Sequence, residues 1–197
     1  MACNCEGCHT VYAYSQQCVS IFFEMDSVGV CGDYFMFPFV LKSCADLGGV
    51  WVGKCVHGKG LRSGLGFDFY FGTSLIDFYV KCAELGDARK MFDEIPVREV
   101  VSWNALIAGN GFAKRAIELF DEMMSDLSNV RPNWVTVMSV LPACAQSSDL
   151  ERGRKIHDYA NSIGLGSNMS VQTALAAMYA KCGSLSDAEN LFPKNPS

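Results

Sequence analysis

The sequence predicts an all-α fold, a right-handed α-solenoid of stacked helix-turn-helix repeats, and three observations predict it. The 197-residue chain resembles itself at an offset of one hundred residues. Each copy divides into hairpin-sized units, and the apolar residues within each unit recur at helical spacing. Repeats of this kind cannot bury an apolar face alone, so about five hairpins stacked side by side are expected, with no strand.

The offset is read from matching residues. Cys44 recurs as Cys144, Gly53 as Gly153, His57 as His157, and Gly64-Leu65-Gly66 as Gly164-Leu165-Gly166. Farther along, Thr73, Leu75, Tyr79-x-Lys81-Cys82, Asp87-Ala88 and Phe92 recur as Thr173, Leu175, Tyr179-x-Lys181-Cys182, Asp187-Ala188 and Phe192. From Asp33 to Asp93, about 18 of 61 positions are identical to their counterparts, several-fold above the roughly one in seventeen that ordinary composition produces.

The elements follow in chain order. Residues 1–15 match no unit and read as a disordered tail. Residues 16–33 carry the apolar residues Ile21, Phe22, Phe23 and Met25. Unit 34–68 is the copy of 134–168. In unit 69–99, Leu75, Ile76, Phe78, Tyr79 and Val80 mark one helix, and Leu85, Ala88, Met91, Phe92 and Ile95 form the stripe of a second, which Pro96 stops. In unit 100–133, Ser102 to Ala108 precedes the stripe Ala116, Ile117, Leu119, Phe120, Met123 and Met124, with Gly109-Asn110-Gly111 as the break. Unit 134–168 places Val135 to Ala145 before a second helix opened by Ser148-x-x-Glu151, a capping-box pattern. The expected weak places are the tail and Gly109 to Gly111.

Composition excludes several classes. Half the residues are hydrophobic and 19% are charged, too apolar for a disordered chain. The longest stretch without a charge, Tyr159 to Ala180, is interrupted by Asn161, Ser162, Ser167, Asn168, Ser170 and Gln172, so no membrane span is expected. A net charge of -5 opposes strong sequence-independent attraction to nucleic acid or anionic lipid. Ten cysteines without a secretory signal read as reduced thiols, and with the first basic residue at Lys42 no Arg-rich transit peptide is seen.

The candidate chemical groups read mostly as structure. Cys3-x-Cys5-x-x-Cys8-His9 has zinc-ligand residue types but no second ligand pair, so neither a metal nor any other cofactor is expected. Cys44, Cys82, Cys144 and Cys182 fall at equivalent places and read as packing residues. His57 and His157 read as packing or hydrogen-bonding groups between neighbouring repeats, because no partners converge on them. Neither glycine-rich stretch forms a phosphate-binding loop.

Three segments carry a family resemblance: Val100-Val101-Ser102-Trp103-Asn104-Ala105-Leu106-Ile107, Tyr179-Ala180-Lys181-Cys182-Gly183-Ser184-Leu185-Ser186-Asp187-Ala188, and Met91-Phe92-Asp93-Glu94-Ile95-Pro96. They resemble pentatricopeptide repeats, and more narrowly the plant subclass that alternates standard, long and short repeats. On this resemblance 16–33 is a partial standard repeat, 34–68 long, 69–99 short, 100–133 standard, 134–168 long and 169–197 a truncated short repeat. The standard repeat departs from the pattern by lacking about three residues at the end of its first helix.

The resemblance implies sequence-specific binding of single-stranded organellar RNA, in RNA processing or in the RNA modification known as editing, with one base per standard or short repeat. It implies a mitochondrial or plastid (chloroplast) location in a plant and a monomer. The chain is not expected to be an enzyme. His9, His57 and His157 are followed two residues later by Val11, Lys59 and Tyr159, so the HxE of the zinc deaminases is missing. An editing factor or deaminase would have to act in trans. The implied base-reading residues are the fifth and last of each repeat, with the second flanking the base: Thr73 with Glu99, Asn104 with Asn133 beside Val101, and Thr173. Asn at both positions implies a pyrimidine, cytosine over uracil; Thr73 and Thr173 lean toward a purine. The long repeats offer Pro38 and Met138 in the fifth position, poor partners for a base edge, and read as spacers. Asn104, Thr73 and Thr173 have a structural alternative as helix N-caps. Two other readings of the chain are a protein-interaction scaffold of the tetratricopeptide kind and an inactive gene fragment.

Overall fold

The structure is a computed structural model that describes residues 6–30, 32, 34–125 and 130–191. Among the described residues there are eleven α-helices and no strand. The helices are α1 (Glu6–Ser27), α2 (Met36–Asp46), α3 (Val50–Arg62), α4 (Phe69–Lys81), α5 (Leu85–Glu94), α6 (Val100–Gly109), α7 (Ala113–Ser125), α8 (Trp134–Ser147), α9 (Leu150–Ser162), α10 (Met169–Lys181) and α11 (Leu185–Asn190). They form two compact units, residues 1–98 and 99–197.

In the first unit α2 is central and packs on α1, α3 and α4, while α4 pairs with α5. Phe22, Phe37 and Phe71 link α1, α2 and α4 edge to face, each successive pair of ring centroids 5.5 Å apart. Gly53 recurs at Gly153 because α3 and α9 must approach the helix that follows them closely. A Cβ at Gly53 would run into the Phe78 ring, and one at Gly153 would lie 2.5 Å from Met178 Sδ. Helix α1 runs from Glu6, which corrects the expected disorder for residues 6–15, the first ten of a continuous 22-residue helix; residues 1–5 lie outside the described residues. Ser15 is buried there, with its hydroxyl 3.5 Å from an Asp46 carboxylate oxygen. Cys3 and Cys5 lie outside the described residues.

In the second unit α8 is central and packs on α6, α7, α9 and α10. The core holds Trp103, Leu106 and Ile107 of α6, Ile117, Leu119 and Met123 of α7, Val140 and Leu141 of α8, and Leu175 of α10. Helix α6 has 10 residues, beside 11 in α2, 13 in α4 and α10 and 14 in α8, and Asn110 Nδ2 donates to the Leu106 carbonyl at 2.6 Å where it stops. The capping box expected at Ser148-x-x-Glu151 is not formed. Ser148 instead ends α8 in the left-handed region, at φ 54°, and Asp149 caps α9 by accepting from the Arg152 N–H at 3.1 Å.

Each unit contains the same clamp. His57 Nδ1 lies 2.9 Å from the Tyr79 hydroxyl, and His157 Nδ1 lies 2.9 Å from the Tyr179 hydroxyl. Three residues before each histidine a cation reaches an aspartate, Lys54 to Asp87 at 2.9 Å and Arg154 to Asp187 at 2.8 Å. These bonds tie the second helix of one hairpin to both helices of the next, and so account for the recurrence of both histidines. Burial also pushes the Cys44 and Cys144 thiols up to about 12, which keeps them as protonated packing groups.

Burial lowers the pKa of His57, whose Nε2 is buried without a partner. Its folded pKa therefore lies below the unfolded value near 6.5, so the stability this group protects is present above that pH and is lost as pH falls through the folded pKa. Urea denaturation midpoints should fall between pH 7.5 and pH 5, and fall less for His57→Gln. An equal fall in both chains would contradict this assignment.

Candidate nucleic-acid interface

The first helices of successive hairpins pack side by side, α2 on α4 in the first unit and α6 on α8 on α10 in the second. Their N-terminal turns carry the residues singled out from the sequence. The last residue of a repeat is the N-cap of the next first helix: Asp68 accepts from the Phe71 N–H at 2.7 Å, Asn133 from Val135 and Thr136 N–H at 3.0 and 3.2 Å, and Asn168 from Val171 N–H at 3.1 Å. Glu99 stands at the start of α6, exposed, and makes no such bond.

The fifth residues lie a full turn inside their helices, so the N-cap alternative for Asn104, Thr73 and Thr173 is excluded. Thr173 is exposed and its hydroxyl donates to the Met169 carbonyl at 2.8 Å. The Thr73 hydroxyl is buried and has no partner. Of the second residues, Tyr70 is 70% exposed and Val101 52%. Thr73 belongs to the first unit and Glu99 to the second.

Only Asn104 and Asn133 are brought into contact by the fold. Packing of α6 against α8 sets Asn104 Nδ2 3.3 Å from Asn133 Oδ1. Sequence reasoning missed a third member, Thr136, whose hydroxyl lies 2.6 Å from Asn104 Oδ1 and accepts from the Asn133 main-chain N–H at 3.1 Å. The signal was Asn133-x-x-Thr136, the capping box that does form. Upstream, the Tyr159 hydroxyl donates to the Pro132 carbonyl at 2.8 Å and holds the segment that delivers Asn133.

The asparagine orientations follow from these partners. Asn133 Oδ1 faces two main-chain donors, so its amide cannot be reversed, and a reversed Asn104 would set two carbonyl oxygens together. Unused by the protein are both N–H groups of Asn133, one N–H of Asn104 and one lone pair of Asn104 Oδ1. The pair therefore offers mostly donors.

Cations on the second helices are largely matched to carboxylates, as in Arg152–Asp121 and Lys155–Glu151. Lys42 on α2, Lys181 on α10 and Arg131 two residues before Asn133 are exposed and have no carboxylate partner among the described residues. Among the described residues no cluster of three His, Cys, Asp or Glu side chains has the arrangement of a metal site, and no helix is long and apolar enough to cross a membrane.

Known proteins resemble this chain in sequence and in fold. The PPR repeat family model matches residues 73–100 and 101–126. A pentatricopeptide repeat-containing protein of Arabidopsis thaliana, described as chloroplastic, is 41% identical over 161 residues, covering 80% of this chain and 20% of that protein. The Arabidopsis thaliana pentatricopeptide repeat-containing protein CRR2, also described as chloroplastic, is 35% identical over 192 residues, covering 94% of this chain and 29% of its own length. The chain thus spans less than a third of these relatives. The crystal structure of the pentatricopeptide repeat protein PPR10 from maize aligns with a TM-score of 0.70 at 23% identity, over 93% of this chain and 28% of that one. PPR10 in complex with an 18-nt psaJ RNA element aligns with a TM-score of 0.68 at 18% identity, over the same shares of the two chains. Fold, family model and relatives agree: this chain belongs to the pentatricopeptide repeat family.

Proposed function

We propose that this chain is a single-stranded RNA-binding array in which Asn104 and Asn133 read one pyrimidine, cytosine before uracil. The observation that carries the reading is the meeting of these two amides at 3.3 Å, with three N–H groups and one lone pair left over. A cytosine edge has two neighbouring acceptors and one donor, which matches such a set; a guanine edge has two donors and one acceptor, which does not. Val101 flanks the same base, while Thr173 and, less directly because its hydroxyl is buried, Thr73 are read as weaker contributors leaning toward purines, and Glu99 is read as a contributor without a base preference. Arg131, Lys42 and Lys181 supply phosphate contacts, which position RNA without selecting its sequence. The RNA complex of the maize relative supports the substrate class, and the chloroplastic relatives support an organellar RNA in processing or editing, with any deaminase supplied in trans.

Selection from randomised single-stranded RNA tests the reading. The chain should enrich oligonucleotides with one pyrimidine fixed as cytosine over uracil, and affinity should fall as salt rises. Binding without base preference, or no binding, would refute it.

A further inference from the structure

The geometry points to Thr136 as a positioning residue for base discrimination: its hydroxyl determines which edge of a nucleotide the Asn104–Asn133 pair accepts. This rests on the base-reading role proposed above for the two asparagines.

Thr136 is 0% exposed, so it touches no RNA and acts only through its neighbours. Its hydroxyl lies 2.6 Å from Asn104 Oδ1 and 3.2 Å from Asn133 Oδ1, so its single proton goes to the nearer oxygen, that of Asn104, while its own oxygen accepts the Asn133 main-chain N–H at 3.1 Å. Its own main-chain N–H donates to Asn133 Oδ1 at 3.2 Å. One residue of α8 thus holds both readers. Of the two bonds that fix the Asn104 amide, the one to Thr136 is the shorter, since the bond to Asn133 is 3.3 Å long. Remove the hydroxyl and Asn104 keeps only the long bond, while the Asn133 N–H loses its acceptor. The Asn104 amide can then turn about its last torsion, a soft one. Full reversal would still set two carbonyl oxygens together, so the amide swings about its remaining bond, and its free N–H and lone pair no longer meet a base edge at a fixed angle, which weakens the distinction between donor and acceptor edges. Ser102, the third residue of its own repeat as Thr136 is of the next, instead donates to the Glu99 carbonyl at 2.8 Å. The lock is therefore particular to the α6–α8 pair, and not a feature of every first helix.

Three chains separate this role from a purely structural one: wild type, Thr136→Val and Thr136→Ser. Serine keeps the hydroxyl; valine keeps the shape and drops it. Affinities are measured for the RNA that the wild type selects and for versions with each of the four bases at the discriminated position. Thr136→Val should lower the preference for cytosine over guanine by at least roughly fivefold, the low end of what one good base contact contributes. Affinity for the rest of the RNA should hold, and Thr136→Ser should stay within about twofold of wild type in that preference. An unchanged preference in Thr136→Val while the wild type discriminates would overturn the proposal and leave the function intact. A wild type that binds no RNA, or binds all bases alike, would overturn the function and the discriminating role together. Nuclear magnetic resonance of the free protein decides the lock without RNA and without relying on a variant that folds. In the wild type the Thr136 hydroxyl proton should exchange slowly enough to be seen beside the Asn104 side chain. A fast-exchanging hydroxyl would sink the lock.

Discussion

A chain carrying Asn104→Thr together with Asn133→Asp is expected to exchange its cytosine preference for a guanine preference at one nucleotide of the bound RNA. The wild-type pair has three N–H groups and one lone pair to offer. The variant loses all three N–H donors and gains a carboxylate, so its surplus is in acceptors, which suits the two N–H donors of a guanine edge. The fold should tolerate the change. An aspartate at 133 still accepts from the Val135 and Thr136 N–H groups that Asn133 caps in α8, and aspartate and asparagine are equivalent N-caps. With roughly 1–3 kcal/mol for each well-formed contact to a base edge, the cytosine-to-guanine affinity ratio should move by at least about tenfold. Equilibrium binding to the four oligonucleotides measures it. A double variant that binds RNA with the wild-type preference would show that the pair does not read the base.

Trp103→Ala should be the most damaging single change in the second unit. The indole is 0% exposed and shares the core with Leu106, Ile107, Leu119 and Met123. Truncating a buried aromatic of this size costs about 3–5 kcal/mol, against a total stability of about 5–15 kcal/mol for an ordinary domain. Urea denaturation should show a large loss, with the Asn104–Asn133 contact loosened because Asn104 adjoins the cavity. Trp134, 53% exposed at the start of α8, is the control, and Trp134→Ala should stay within about 0.5 kcal/mol of wild type. A Trp103→Ala chain as stable as that control would mean that α6 is not packed as described.

Much of this was legible in the sequence because a helical repeat writes its packing as periodicity. The stripe Leu85, Ala88, Met91, Phe92 became one face of α5, with Ala88, Met91 and Phe92 buried. The break at Gly109 to Gly111 became the end of a short α6. Where the reading erred, local chemistry offered two similar answers. Ser148 and Asp149 are adjacent and both cap well, and backbone conformation chose Asp149 by setting Ser148 left-handed at the end of α8. Residues 6–15 lack the helical stripe and still continue α1, where Ser15 packs toward Asp46.

The sequence by itself determined the helical hairpins, their order, the recurrence of His57 and His157, and the candidacy of Asn104 and Asn133, since each depends on spacing along one chain. Tertiary structure decided how those groups are used. It made the histidines partners of Tyr79 and Tyr179, and it joined Asn104 to Asn133 across the α6–α8 contact. It also buried Thr136 as the link between the two asparagines. The physical reason is that hydrogen-bond direction is absent from residue spacing. Which end of an amide faces its partner is settled only when two helices pack and their donors and acceptors must be matched in a space closed to water.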